Sequence, residues 1–179
     1  MTDKDIIKLH REGRFEEAFD ALVKAYSERL YWHLRHFTAS HDDADDLLQE
    51  VFIKVWTQFA SFRGESALFT WLWRIASNEA ISWLRKKKVR AALEFDSIEN
   101  VLSLRVQDDP WFDGDEAERK LQQAIATLSG KEKEVFLLRY YEDMPYEQMA
   151  SVLDSTVGSL KVLYHNAVTK VKKVLDKES

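Results

Sequence analysis

Apolar residues return at spacings of three and four along most of this chain, and that period commits it to helices. Ala44, Leu47, Leu48, Val51, Val55 and Phe59 draw one such stripe, and Val157, Leu160, Tyr164, Ala167, Val171 and Val174 draw another. Only five Gly and two Pro occur in 179 residues, too few for a turn-rich all-β protein. A composition of 45% hydrophobic and 32% charged residues is that of a globular chain, not a disordered one. The predicted fold class is therefore all-α.

This length suits one domain or two small ones, and the pattern favours two. Residues 1–90 read as helices with brief breaks. Gly13 interrupts an early helix, and a longer one follows from about Phe15 to Phe37. Ser40 with Asp43 starts the acid-rich helix to Phe59, Ser61 to Glu65 form a loop, and a long helix runs from about Ala67 to Lys88. Periodicity fades over 91–114, where Asp108-Asp109-Pro110 and Asp113-Gly114 are loop chemistry, so this segment is read as a flexible linker. Its Leu93, Phe95, Ile98, Val101, Leu102, Trp111 and Phe112 leave parts of it able to dock. The second domain, 115–179, opens with a helix lined by Ala117, Leu121, Ala124 or Ile125, and Leu128. Ser129 and Glu132 are predicted to form a capping box for the next helix, Pro145 suits the first turn of a short one, and Ser155 or Thr156 caps the last.

The net charge of −5 is unevenly spread. Acids crowd into Asp42–Glu50 and Asp108–Glu118; cations crowd into Arg85–Arg90 and the last helix, where Lys161, Lys170, Lys172 and Lys173 have no acid between them. Such asymmetry points to separate surfaces for different partners, against the bland alternative of solvated helix faces. On the long helix, Trp71, Arg74, Asn78, Ser82 and Arg85 recur at spacings of three and four and share a face that Lys86 extends. Guanidinium groups pair with phosphate, an amide reads a base edge, and an indole stacks on an unpaired base. Trp71 and Trp73 each have core packing as the competing role. In the carboxyl-terminal part, Met144 to His165 fits a helix-turn-helix. There Ala150 allows close approach of two helices, while Met149, Leu153, Val157 and Leu160 join them. The outer face of the second helix carries Ser159, Lys161, Val162, His165 and Asn166, suited to the major groove.

Several classes are excluded. Without cysteine there is no disulfide, thiolate chemistry or Cys-type zinc site. No His or carboxylate set has metal-site spacing, and no nucleophile, phosphate loop or cofactor motif is present, so neither a metal, a cofactor nor an enzyme is expected. The charged start, Met1 to Asp5, leads into no signal-peptide stretch, and no segment approaches the roughly 20 apolar residues of a membrane span. A cytoplasmic protein with no membrane insertion is expected.

The segments Asp43-Ala-Asp-Asp-Leu-Leu-Gln-Glu-Val-Phe-Ile-Lys-Val-Trp56, Phe62-Arg-Gly-Glu65 and Phe69-Thr-Trp-Leu-Trp-Arg-Ile-Ala-Ser-Asn78 closely resemble sigma domain two of the extracytoplasmic-function sigma factors of bacterial RNA polymerase. Leu128 to Tyr141 together with the helix-turn-helix resembles their sigma domain four. The resemblance implies a subunit that binds core RNA polymerase and promoter DNA, duplex at the -35 element and opened at the -10 element. It implies that Asp45, Asp46, Gln49 and Glu50 dock the polymerase clamp, and that Arg63 lies in a loop capturing a flipped base. By the same resemblance Arg74, Asn78 and Arg85 lie on the -10 face, Ser159, Lys161 and His165 on the -35 helix, and Arg139 becomes a phosphate contact. Family habit adds an anti-sigma factor as a further partner. Charge alone places the acidic linker, Asp108 to Glu118, in a basic channel of the polymerase. Three positions depart from the family: Ser82 stands for its usual Asp, Leu163 for a common Arg, and Asp154 for the turn Gly. The competing reading is a helix-turn-helix regulator that binds duplex DNA without polymerase, which leaves the aromatic stripe and the acid helix unexplained.

Overall fold

The computed structural model describes residues 1–109, 112 and 114–177. Among these residues there are nine helices and no strand. Pro110, Trp111 and Asp113, which the sequence reading placed in the linker, lie outside them.

The amino-terminal unit is built from α1 (Asp3–Arg11), α2 (Phe15–Thr38), α3 (His41–Phe59) and α4 (Leu68–Leu93). Each begins or ends for a local reason. Thr2 and Asp5 cap α1 reciprocally, and Gly13, at φ 76°, turns the chain into α2. Ser40 Oγ accepts the Asp43 N–H at 3.2 Å and starts α3. The apolar stripes then meet in one core: Leu22 and Leu30 of α2, Leu47, Val51 and Val55 of α3, and Leu68, Leu72, Ala76 and Ala80 of α4 are all buried. Fully burying a Leu or Val contributes about 1.5–3 kcal/mol, so this three-helix contact dominates the unit. Trp73 lies in the same core with no exposed surface.

The linker holds more structure than its sequence announces. Helix α4 runs past Lys88 to Leu93 and stops at Phe95, a non-glycine residue at φ 57°. Helix α5 (Ile98–Asp108) follows, capped by Ser97 and burying Ile98, Leu102 and Val106 four residues apart. It is tied to the amino-terminal unit by Arg105–Asp43 at 2.5 Å and by the Arg35–Asp109 ion pair.

The carboxyl-terminal unit comprises α6 (Glu116–Ala126), α7 (Gly130–Tyr140), α8 (Tyr146–Leu153) and α9 (Val157–Lys177). The α6 stripe is as expected at Ala124, Ile125 and Leu128, but Ala117 faces solvent. No capping box forms at α7. Ser129 Oγ donates to the Glu132 carboxylate, which also receives Lys170 Nζ at 2.7 Å, so that pair is drawn to α9 rather than to the backbone. Pro145 sits just before α8 as its cap residue rather than inside the first turn. Between α8 and α9, Asp154 adopts the left-handed conformation at φ 50°, and Thr156 Oγ1 accepts the Ser159 N–H.

The two units pack face to face, α7 and α8 lying against α2 and α4.

Candidate functional site

Three solvent-facing surfaces hold the residues singled out from the sequence. On α4, Trp71 is half-buried, with its ring 5.0 Å from Phe62 and 5.9 Å from Phe59, while one side remains open. It forms a wall of an open depression of about 540 Å³ with Ser61, Arg63, Glu65, Ser66 and Arg74. Gly64, at φ 76°, gives the loop the bend that brings Arg63 and Glu65 to this rim. An indole wall beside two guanidinium groups provides a stacking surface and phosphate partners within one hollow. Further along α4, Asn78, Arg85 and Lys86 are exposed, and Ser82 is half-buried. Trp73, by contrast, turns inward, so of the two indoles only Trp71 reaches the stripe.

The second surface is the outer face of α9. Ser159, Lys161, Val162, His165 and Asn166 are all exposed, side by side over two turns. Leu160, Ala167 and Val171 hold the opposite side in the core, and Leu163 packs against it. Val162 is 60% exposed, an apolar group presented to water on an otherwise polar face. Arg139 differs from the others. Its guanidinium donates to the Met144 carbonyl at 3.2 Å and lies 5.0 Å over the Tyr146 ring, bracing the start of α8.

The third surface is α3, where Asp45, Asp46, Gln49 and Glu50 are exposed along one side. Beside them lies a feature the sequence reading missed: an open groove of about 710 Å³ lined by Phe19, Val23, Phe52, Ile53 and Trp56, with Glu16 and Asp20 on its rim. Ile53 is 63% exposed. The signal was present, since Phe52, Ile53 and Trp56 are apolar yet fall off the stripe that ends at Phe59. An acidic face with an apolar floor fits an amphipathic basic element of a protein partner.

A polar cluster between the two units was also missed. Glu134 of α7 is fully buried, with Oε1 2.6 Å from His33 Nε2 of α2 and accepting from Ser77 Oγ of α4 at 3.3 Å. Next to it, Lys133 is buried with Nζ 3.5 Å from the Phe37 carbonyl and 5.2 Å from the centre of the Phe37 ring. Burial pushes its pKa down to about 8. At the edge of the cluster the His36 ring stacks on Tyr141, centroids 4.1 Å apart. Burial, with the nearby charges of His33 and Arg35, pushes the His36 pKa down to about 4. Outside, Arg29 pairs with Glu142 at 2.5 Å, and Arg74 donates to the Ser151 carbonyl of α8 at 2.7 Å. Nothing in the sequence marks Lys133 and Glu134 as buried; only the packing of α7 on α2 and α4 reveals them.

No group of metal-binding side chains occurs among the described residues, and no helix there is long and apolar enough to cross a membrane.

Known proteins align with this arrangement. The family models for sigma-70 region 2 and sigma-70 region 4 match residues 22–90 and 118–171. The extracytoplasmic-function RNA polymerase sigma-E factor of Haemophilus influenzae is 33% identical over 90% of this chain and 88% of its own length. Among solved structures, CnrH in complex with the cytosolic domain of CnrY superposes with a TM-score of 0.70 at 21% identity, covering 99% of both chains. The sigma factor RpoE bound to the anti-sigma factor NepR from Bartonella quintana gives 0.64 at 22% identity, covering 88% of this chain and 96% of that one. With two ordered region models and a relative matched nearly end to end, this chain belongs to the extracytoplasmic-function sigma factors.

Proposed function

We propose that the chain is the promoter-specificity subunit of a bacterial RNA polymerase, working in the cytoplasm and leaving the chemistry to the polymerase. Residues 1–90 form a core-binding and -10 unit, 91–114 a linker, and 115–179 a -35 unit. In this reading Asp45, Asp46, Gln49 and Glu50 attract a basic helical element of core polymerase, and the Phe52–Ile53–Trp56 groove receives its apolar side. Arg63, Trp71, Arg74, Asn78, Ser82, Arg85 and Lys86 hold the opened -10 strand. The indole stacks a base, which offsets unpairing by about 1–3 kcal/mol. Ser159, Lys161, Val162, His165 and Asn166 read the -35 duplex, while Arg139 fixes the helix pair and reaches phosphate once the duplex arrives. An anti-sigma factor is the natural antagonist, since the two solved neighbours include complexes of that kind.

One observation carries this reading: an anionic face with an apolar floor and two cationic or polar faces occupy different helices of the same chain. A duplex-only regulator has no use for the first. The test is run-off transcription with purified core polymerase over a library of promoter fragments. The chain is expected to co-purify with core enzyme and to confer start sites sharing a -35 and a -10 motif. Duplex binding without polymerase capture would instead favour the regulator.

A further inference from the structure

Helix α1 lies ahead of residues 22–90, the span matched to sigma-70 region 2, and the two side chains it buries are Ile6 and His10. An apolar residue would seal the second position with no polar atom to satisfy, since a buried imidazole costs free energy unless its nitrogens are bonded. His10 is bonded. Its Nε2 lies 2.5 Å from the carbonyl oxygen of Phe59, the last residue of α3. A carbonyl only accepts, so Nε2 carries the hydrogen. That oxygen is one of the acceptors a helix end leaves without an intrahelical partner, and it also accepts the Phe62 N–H of the following loop at 3.1 Å.

The same imidazole touches the two rings that back Trp71. Its centroid lies 4.7 Å from that of Phe59 and 5.7 Å from that of Phe62. Those rings in turn lie 5.9 and 5.0 Å from the indole. Phe15, the first residue of α2, meets His10 edge-on at 5.1 Å. Beside His10, Arg11 reaches the loop itself: its Nη2 stands 4.0 Å from where a β-carbon on Gly64 would be. The end of α1 thus braces both walls of the hollow formed by Arg63, Trp71 and Arg74. It holds the indole through two phenyl rings and the loop through the Phe59 carbonyl. A ring face oriented in advance loses less on binding than one ordered by the base it receives.

We propose that His10 is a positioning residue for the -10 hollow. Its bond to the Phe59 carbonyl and its contacts with Phe59 and Phe62 set the attitude in which Trp71 and the loop 61–65 take the opened strand. The proposal rests on the promoter reading for its consequence, but the bracing of Trp71 is measurable on the free chain.

Three variants separate bonding from packing. His10→Phe keeps a ring without the bond, His10→Asn carries an amide that stops short of the carbonyl, and His10→Gln brings an amide N–H to where Nε2 stands. Opening is read with holoenzyme and a promoter recovered from the run-off library, carrying 2-aminopurine in its -10 strand. His10→Phe and His10→Asn should open it about tenfold less well, the scale of one buried hydrogen bond lost. His10→Gln should stay within about threefold of the native chain, and all three should bind the -35 duplex and core polymerase within about twofold of it. Native opening by His10→Phe or His10→Asn overturns the proposal, as does failure of His10→Gln to rescue. Equal losses in opening, duplex binding and core capture also overturn it, because they are the mark of a merely structural residue. Should His10→Phe fail to fold, the Asn and Gln variants decide alone. On the free chain, the indole N–H signal of Trp71, assigned by its loss in Trp71→Phe, should shift in His10→Asn and return in His10→Gln. An unmoved signal sinks the proposal even if the promoter reading stands. If the native chain opens no promoter with core polymerase, the promoter reading fails, while this signal still decides the bracing.

Discussion

Trp71 and Trp73 stand two positions apart on one helix and meet opposite environments. Trp73 is sealed in the core, where its ring lies 4.9 Å from that of His33, whereas Trp71 leans on Phe59 and Phe62 and keeps one face free. Trp71→Ala should therefore impair -10 melting, read by a fluorescent base analogue, more than it weakens binding to a -35 duplex in a gel shift. Equal losses would assign it to packing alone. His36 makes a different residue-scale prediction. Its pKa in the packed protein is about 4 against an ordinary 6.5, so the packed state favours the neutral ring. That preference is fully present above pH 6.5 and is lost as pH falls toward 4, where the unpacked chain binds the extra proton. Thermal unfolding between pH 7.5 and 4.5 should show a falling Tm, and His36→Phe should flatten the part of that fall due to this ring.

Among the helices, α2, α3, α4 and the α8–α9 pair were legible because each carries an apolar stripe of helical period, with Gly13 before α2, Ser40 capping α3 and Pro145 before α8 as further marks. Helix α5 was not. Its inner face has only Ile98, Leu102 and Val106, while Val101 and Leu104 fall elsewhere and blur the period. The break before it is made by Phe95 in a left-handed conformation, which no local residue preference announces. Leu102→Ala should test how firmly this helix is held: with no exposed surface at that position, the loss should be about 2–4 kcal/mol. It should also speed protease cutting within 91–114. The turn between α8 and α9 was read correctly as a place where glycine would be easier. Asp154→Gly, at φ 50°, should raise Tm by about 1–2 °C, since relief of the left-handed strain is partly cancelled by a freer unfolded chain.

For the molecule as a whole, composition and spacing disclosed the two units and their three faces but not how they pack. Lys133 and Glu134 look like surface charges because an isolated α7 would leave them wet; their burial depends on Phe37 of α2 and Ser77 of α4, 96 and 57 residues away in sequence. The lysine supplies a global test. Its pKa of about 8, against 10.5 in water, means that the packed chain prefers the neutral amine. The burden of burying the charge is felt below pH 8 and lifts as pH rises toward 10.5. Lys133→Met should therefore raise Tm at pH 7 by several degrees and remove that alkaline gain.

Asp45, Asp46, Gln49 and Glu50 of α3 stay exposed while the rest of the chain is folded together. On the proposed reading, a polymerase grips this handle without first disturbing the packing of the helices beneath it.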